Sequence, residues 1–200
     1  MSVTCFYGLP GSGKTTVLCA LAQKELQRIR LGKSKYSAVL TNFYCRNCDV
    51  FEPKRDIPLK TFRRCLILID EITLVWDSRN FKTFPDEIKN FFTLHRHLKS
   101  DVIYATQYYQ NVDKRIRDVT DTTFRVRKFF GKWHLCSRER MAVQYPEDTG
   151  EIIIGYKKPT PLQLFSGAKL IYGGRYYDFF DTHEMPAGSQ PLYTGGIKYI

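Results

Sequence analysis

The chain has 200 residues, 43% hydrophobic and 26% charged, a composition that excludes intrinsic disorder and a length that suits one domain with or without an appendage. The 31 Lys and Arg against 20 Asp and Glu leave a formal charge of +11, a surface that attracts polyanions, either nucleic acid or anionic lipid headgroups. The longest strongly apolar run, Cys65–Ile69, is far short of the ~20 residues of a membrane-spanning helix, and the start lacks the basic region and cleavage site of a secretory leader. The six cysteines therefore read as reduced thiols, not as a disulfide framework.

In chain order, Val3–Tyr7 is a short apolar strand. Thr15–Leu31 carries Leu18, Leu21, Ala22, Leu26 and Ile29 at helical spacing, with Gly32 as its stop. Tyr36–Thr41 reads as a second strand, followed over 43–65 by a long basic connection with Arg46, Lys54, Arg55, Lys60, Arg63 and Arg64. Leu66–Ile69 has the pattern of a strand buried on both faces. Pro85 and Asp86 open a helix that places Ile88, Phe91, Phe92, His95 and Leu98 on one face. Val102–Thr106 is a further strand, and Asn111–Val119 reads as a helix presenting Val112, Ile116 and Val119. This alternation predicts an α/β fold with a mainly parallel sheet covered on both faces.

The last third differs. Thr123–Phe130 and Trp133–Cys136 flank Gly131-Lys132 as a hairpin, Glu151–Tyr156 is another strand, and the segment from Gly173 reads as turns and short strands. Lys and Arg interleave the aromatic residues here; they either bind single-stranded nucleic acid or are the solvated alternates of strands that bury one aromatic face, the reading favoured for most of them. The expected organisation is a core over 1–122, a β-rich extension of the same domain over 123–185 and a loose tail over 186–200.

Gly8-Leu9-Pro10-Gly11-Ser12-Gly13-Lys14-Thr15 matches the phosphate-loop pattern between a strand and a helix. Gly8, Gly11 and Gly13 let backbone N–H groups turn inward, with Pro10, Ser12 and Thr16 completing the cradle. Lys14 supplies charge to the outer phosphates of ATP, the Thr15 hydroxyl can ligate Mg²⁺, and the following helix directs its positive end at the anion. About 55 residues downstream, the aliphatic strand ends in Asp70 and Glu71, the arrangement of a nucleoside triphosphatase. Asp70 would hold Mg²⁺, directly or through water, and Glu71 would deprotonate the attacking water. Thr106-Gln107 ends the next strand, where Gln107 either senses the γ-phosphate or is a satisfied loop amide. Arg96, Arg115 and Arg117 are each either an arginine finger acting on a neighbouring subunit or a solvated charge. Cys45 and Cys48 form one C-x-x-C without a second pair, and nothing in the spacing demands zinc.

These stretches together resemble the zonula occludens toxin (Zot) family, the assembly ATPases of filamentous phages within the FtsK–HerA-like branch of P-loop ATPases. The resemblance rests on Phe6–Thr15, Thr41-Asn42-Phe43, Leu68–Glu71, His95-Arg96-His97, Asp101–Ile103, Thr106-Gln107, Asp113–Asp118 and Tyr177–His183. It implies a P-loop NTPase three-layer sandwich followed by a small β-rich C-terminal portion. It also implies ATP-driven extrusion of single-stranded phage DNA by a homo-oligomeric ring in the host cytoplasm, peripheral to the inner membrane. Many members continue into a transmembrane helix. None is seen in this chain, so attachment through phage or host membrane and assembly proteins, or through the basic surface, is expected. A nucleotide-gated assembly adaptor without turnover, and a replication or packaging ATPase, are the alternatives.

Overall fold

The computed structural model describes residues 2–76, 86–94, 97–144, 153–157 and 168–180. Six strands run parallel: β1 (Val3–Tyr7), β2 (Ala38–Thr41), β3 (Asp49–Val50), β4 (Cys65–Ile69), β5 (Asp101–Thr106) and β6 (Thr122–Lys128). β7 (Trp133–Gln144) returns antiparallel to β6, and both β8 (Ile153–Lys157) and β9 (Lys169–Tyr172) pair with β7. The order is β3-β2-β4-β5-β1-β6-β7-β8, with β9 beside β7. The parallel part thus reaches through β6, whose Thr122 lies opposite Thr4 of β1. The first strand lies in the middle of the sheet.

The period of two along each strand divides the core into two layers. Val3 and Cys5 of β1, Cys65, Ile67 and Ile69 of β4, and Val102 and Tyr104 of β5 face one cluster. There they meet α2 (Pro53–Leu59), α3 (Ile72–Val75), α4 (Asp86–Leu94) and α5 (Lys114–Asp118) through residues such as Ile57, Ile72, Phe91 and Ile116. Phe6, Leu66, Leu68 and Ala105 face the opposite cluster, covered by Val17, Leu18 and Ala22 of α1 (Lys14–Arg30). The result is helix, sheet, helix, as expected for a sheet whose central strands are apolar on both sides. Gly32, at φ +65°, ends α1: its N–H bonds to Ile29 O and that of Lys33 to Arg28 O, both at 2.9 Å, a left-handed closure that favours glycine.

Three sequence expectations are corrected. The 43–65 connection contains β3 and α2, and its Phe51 and Phe62 are core residues; two phenylalanines isolated among polar residues have no visible period. Within this connection Arg46 is tied down as well, its N–H bonded to Phe179 O at 2.9 Å and its guanidinium 4.8 Å from the Phe179 ring. The helix expected over Asn111–Val119 is divided. A 3₁₀ turn covers Tyr109–Asn111, Val112 is extended, and α5 starts only after Asp113, whose carboxylate caps Arg115 N at 2.9 Å. Most aromatic residues of the β6–β7 hairpin do not turn inward: of Phe124, Phe129, Phe130 and Trp133, only Phe124 is buried. Phe124 and Val126 are buried, yet Phe129 and Phe130 at the turn are 69% and 79% exposed. The strand Glu151–Tyr156 is seen as β8 over Ile153–Lys157, whereas Glu151, Ile152, His95, Arg96, Thr182, His183 and the tail lie outside the described residues.

Asp56 organises α2 from within. Its buried carboxylate accepts from Glu52 N at 2.9 Å and Arg55 Nε at 3.1 Å, with Lys60 Nζ at 3.1 Å. Burial pushes this carboxyl up, but those donors outweigh it and hold the pKa at about 2, below its ordinary 3.8. A group depressed on folding contributes stability that is complete above its unfolded pKa and is lost as pH falls toward the folded one. The chain is therefore expected to lose thermal stability between pH about 4 and about 2. Asp56→Asn should lower the midpoint at pH 7 by about 2–4 °C, as ~1 kcal/mol does at this size, and flatten the acid limb. Thermal unfolding of both proteins at pH 7 and pH 3 checks this.

Candidate functional site

The site forms at the carboxyl ends of β1, β4 and β5, where parallel strands release their loops. Gly8 follows β1 directly, its N–H bonded to Thr106 O at 3.3 Å. A Cβ at Gly8 would lie 2.5 Å from Val126 O, so the loop can approach β6 this closely only without a side chain. Gly11 and Gly13 have φ of +73° and +92°. Leu9, Pro10 and Gly11 form an exposed crest, while Ser12, Lys14 and Thr16 are buried beneath it. The Lys14 ammonium curls back onto the loop, donating to Gly8 O at 2.9 Å and Leu9 O at 3.3 Å.

Asp70 and Glu71 follow β4. Asp70 is buried; its Oδ2 accepts from the Thr15 hydroxyl at 2.6 Å and its Oδ1 from Glu71 N at 3.0 Å. Glu71 has φ +45°, uncommon for a residue with a side chain and a mark of functional turns. Its carboxylate accepts from the Thr73 hydroxyl at 2.8 Å and faces the Gln107 N–H at 3.4 Å. Gln107 thereby joins the site through its backbone, and its exposed side chain helps line a cavity of about 210 Å³ with Tyr7, Gly8, Leu9, Tyr108 and Arg125. Arg117 is not brought here. It belongs to α5, and among the described residues it makes no ion pair, its buried Nε having no partner. Cys45 lies 3.4 Å, sulfur to sulfur, from Cys19 beneath α1, and no metal-binding cluster occurs among the described residues.

Two contributors were not singled out from composition or spacing. Asn42, fully buried just past β2, accepts from Asp70 N at 2.6 Å and donates to Asp70 O at 3.0 Å. Its side chain continues the β2–β4 ladder one step beyond the strand and fixes the Asp70 backbone. Its signals in the sequence were a polar amide closing an apolar strand and its place in the Thr41-Asn42-Phe43 stretch of the resemblance. The other is His134 of β7, whose Nδ1 is 2.9 Å from Ser12 O. A histidine among hairpin residues gives no sign of that contact.

The donor set fits a nucleotide with Mg²⁺. Ser12 Oγ is buried without a partner beneath the crest, two glycines hold left-handed backbone, and Thr15 and Asp70 offer adjacent hard oxygens.

The Zonular occludens toxin (Zot) family matches residues 44–169, more than half of the chain. This chain belongs to the Zot family. The matched region starts beyond the phosphate loop and carries Asp70, Glu71 and Gln107, so loop and family assignment are separate observations. Among solved structures, the N-terminal domain of zonular occludens toxin from Neisseria meningitidis is 15% identical, with 90% of this chain and 98% of that one covered and a TM-score of 0.57. Other similar structures are the flagellar accessory protein FlaH from Methanocaldococcus jannaschii (16% identity, 68% and 77% coverage, TM-score 0.49) and the genome packaging NTPase B204 from Sulfolobus turreted icosahedral virus 2 with ATP-gammaS (13%, 64% and 76%, 0.46). No curated protein sequence matches the chain. The fold of this Zot chain is that of a P-loop NTPase. No helix among its described residues is long and apolar enough to cross a membrane.

The electrostatics of the site oppose its own folding. Burial pushes the Asp70 carboxyl above its ordinary value; the Thr15 hydroxyl and Lys14 pull it down, while Glu71 adds to the rise. Burial lowers the Lys14 ammonium, partly countered by Glu71 and Asp70. A carboxyl raised on folding costs nothing below its unfolded pKa and destabilises increasingly as pH rises through the folded one. Asp70→Asn, which keeps the shape and removes the charge, is therefore expected to raise the thermal midpoint at pH 7 by about 2–4 °C. The gain should disappear near pH 4. A lower midpoint for the variant at pH 7 would show that the attraction of Lys14 outweighs burial.

Proposed function

We propose that this chain is the Mg²⁺-dependent ATPase of filamentous phage assembly, coupling ATP hydrolysis to extrusion of single-stranded phage DNA. The observation that carries the reading is the convergence of Lys14, Thr15, Asp70 and Glu71 at one sheet end in a chain of the Zot family. In this reading the loop N–H groups and Lys14 bind the phosphates and offset the charge that gathers on them as the reaction proceeds. Thr15 and Asp70 would hold Mg²⁺, which would supply further neutralisation of the phosphate oxygens. Glu71 accepts the proton of the attacking water; its contacts to the Thr73 hydroxyl and the Gln107 N–H fix the carboxylate within electrostatic reach of Lys14. Gln107, the residue after β5, senses the γ-phosphate or positions the attacking water.

The partners proposed are single-stranded DNA, further copies of the chain in a ring, and membrane or assembly proteins of phage or host. Arg96 or Arg117 would then act on the site of the adjoining copy. The place of action is the host cytoplasm, peripheral to the inner membrane, with the net charge of +11 facing DNA backbone or anionic headgroups.

ATP turnover by the purified chain, with and without circular single-stranded DNA, tests this. DNA should stimulate turnover. Glu71→Gln should reduce it by ~10²–10⁴-fold, the usual contribution of a general base, while still binding nucleotide; Lys14→Ala should weaken binding as well. Turnover that persists in Glu71→Gln would overturn the assignment of the base, and no turnover by the unaltered chain in either condition would overturn the motor.

A further inference from the structure

His134 reaches the phosphate loop from 122 residues away in the chain. It is the second residue of β7, opposite Lys128 of β6 and Ile171 of β9, so three strands hold its backbone. The ring is 2% exposed. A carbonyl oxygen only accepts, so the 2.9 Å contact with Ser12 O requires the proton on Nδ1. Nε2 is buried without a hydrogen-bond partner. Two glycines clasp it. A Cβ at Gly13 would lie 2.2 Å from the ring, and one at Gly173, in the 3₁₀ turn after β9, would lie 2.6 Å from Nε2. Both positions exclude a side chain while the imidazole is present.

The position of the bond gives it a direction. In a trans peptide the C=O and the following N–H point to opposite sides of the chain. Anchoring Ser12 O on β7 therefore turns the Gly13 N–H away from β7. Gly13 also has the left-handed φ of +92° and immediately precedes Lys14, the first residue of α1. Its N–H is thus one of the donors with which such a loop binds an anion. Among the described residues, no other side chain bonds Ser12 O.

We propose that His134 is a positioning residue of the nucleotide site: its Nδ1–H fixes the Ser12–Gly13 peptide so that the Gly13 N–H faces bound phosphate. This rests on the loop binding a nucleoside triphosphate. It makes the C-terminal strands part of the loop's support.

The test is a fluorescence titration of the full chain with a fluorescent ATP analogue and Mg²⁺, comparing unaltered protein, His134→Leu, His134→Asn and Lys14→Ala. The Asn amide can place an N–H where Nδ1–H stands, and Leu cannot. His134→Leu should raise Kd ~10-fold, the effect of one lost buried hydrogen bond, with His134→Asn within ~3-fold of unaltered protein. Equal affinities of the Leu and Asn variants would overturn the role of His134, since a loss of packing alone does not distinguish them in this order. If His134→Leu does not fold, His134→Gln, whose amide extends one bond further, takes its place, and equal affinities of Asn and Gln overturn the proposal in the same way. Binding by unaltered protein that is lost in Lys14→Ala upholds the nucleotide reading whatever His134 does. No binding by unaltered protein overturns that reading and the proposal with it.

Discussion

A carboxylate removed from water must be given donors or a counter-charge, and the position of Asp70 makes that demand on everything around it. The strand before it is buried at every residue, so the chain carries the acid out of the apolar layer and stops it at the sheet's edge. The Thr15 hydroxyl and the Glu71 N–H then donate to the carboxylate, while the Asn42 side chain holds the Asp70 backbone N–H and C=O. Glu71 follows Asp70 directly, whereas Thr15 is placed by the first turn of α1 and Asn42 by the register of β2 against β4. Loop, helix and carboxylates consequently have one relative arrangement, imposed by the need to satisfy one acid.

The order of the sheet explains why this is possible. With β1 beside β5, and β4 on the far side of β5, the phosphate loop and the Asp70–Glu71 turn emerge from the same edge one strand apart. Thr106 at the end of β5 lies between them; its carbonyl holds Gly8, and the next N–H meets Glu71. The polar crevice requires no special insertion. It is what parallel strands with apolar bodies and polar ends produce, sharpened by glycines where backbones nearly touch. The Zot assignment and the phosphate loop arise from separate parts of the sequence, and this geometry is where they coincide.

Much of this was legible in residues alone because the strands carry strong, simple patterns. The aliphatic run Cys65–Ile69 can only be a doubly covered strand, and glycine spacing around Lys14 has few other uses. The limits of the α1 helix were readable too, since Gly32 announces its stop. What escaped notice depends on contacts that no local pattern encodes. Asn42 acts by imitating a backbone rung, Phe51 and Phe62 are core residues without a periodic companion, and Asp113 caps a helix that starts three residues later than apolar spacing suggests. His134 is the extreme case. Its partner is 122 residues away, and its role follows only from a peptide plane.

The central place of β1 has a consequence for how the protein is made. Its five residues leave the ribosome well before the strands that flank them, Val102–Thr106 on one side and Thr122–Arg125 on the other. At about 5–20 residues per second, the strand waits roughly 5–25 s for both to be synthesised. During that time Val3, Cys5 and Phe6, all buried in the finished sheet, have no permanent cover. An apolar strand with both edges open is a template for mispairing. The nascent chain therefore passes through an interval in which shielding by other proteins matters most, and the sheet closes around its oldest strand only when its sixth parallel member has appeared.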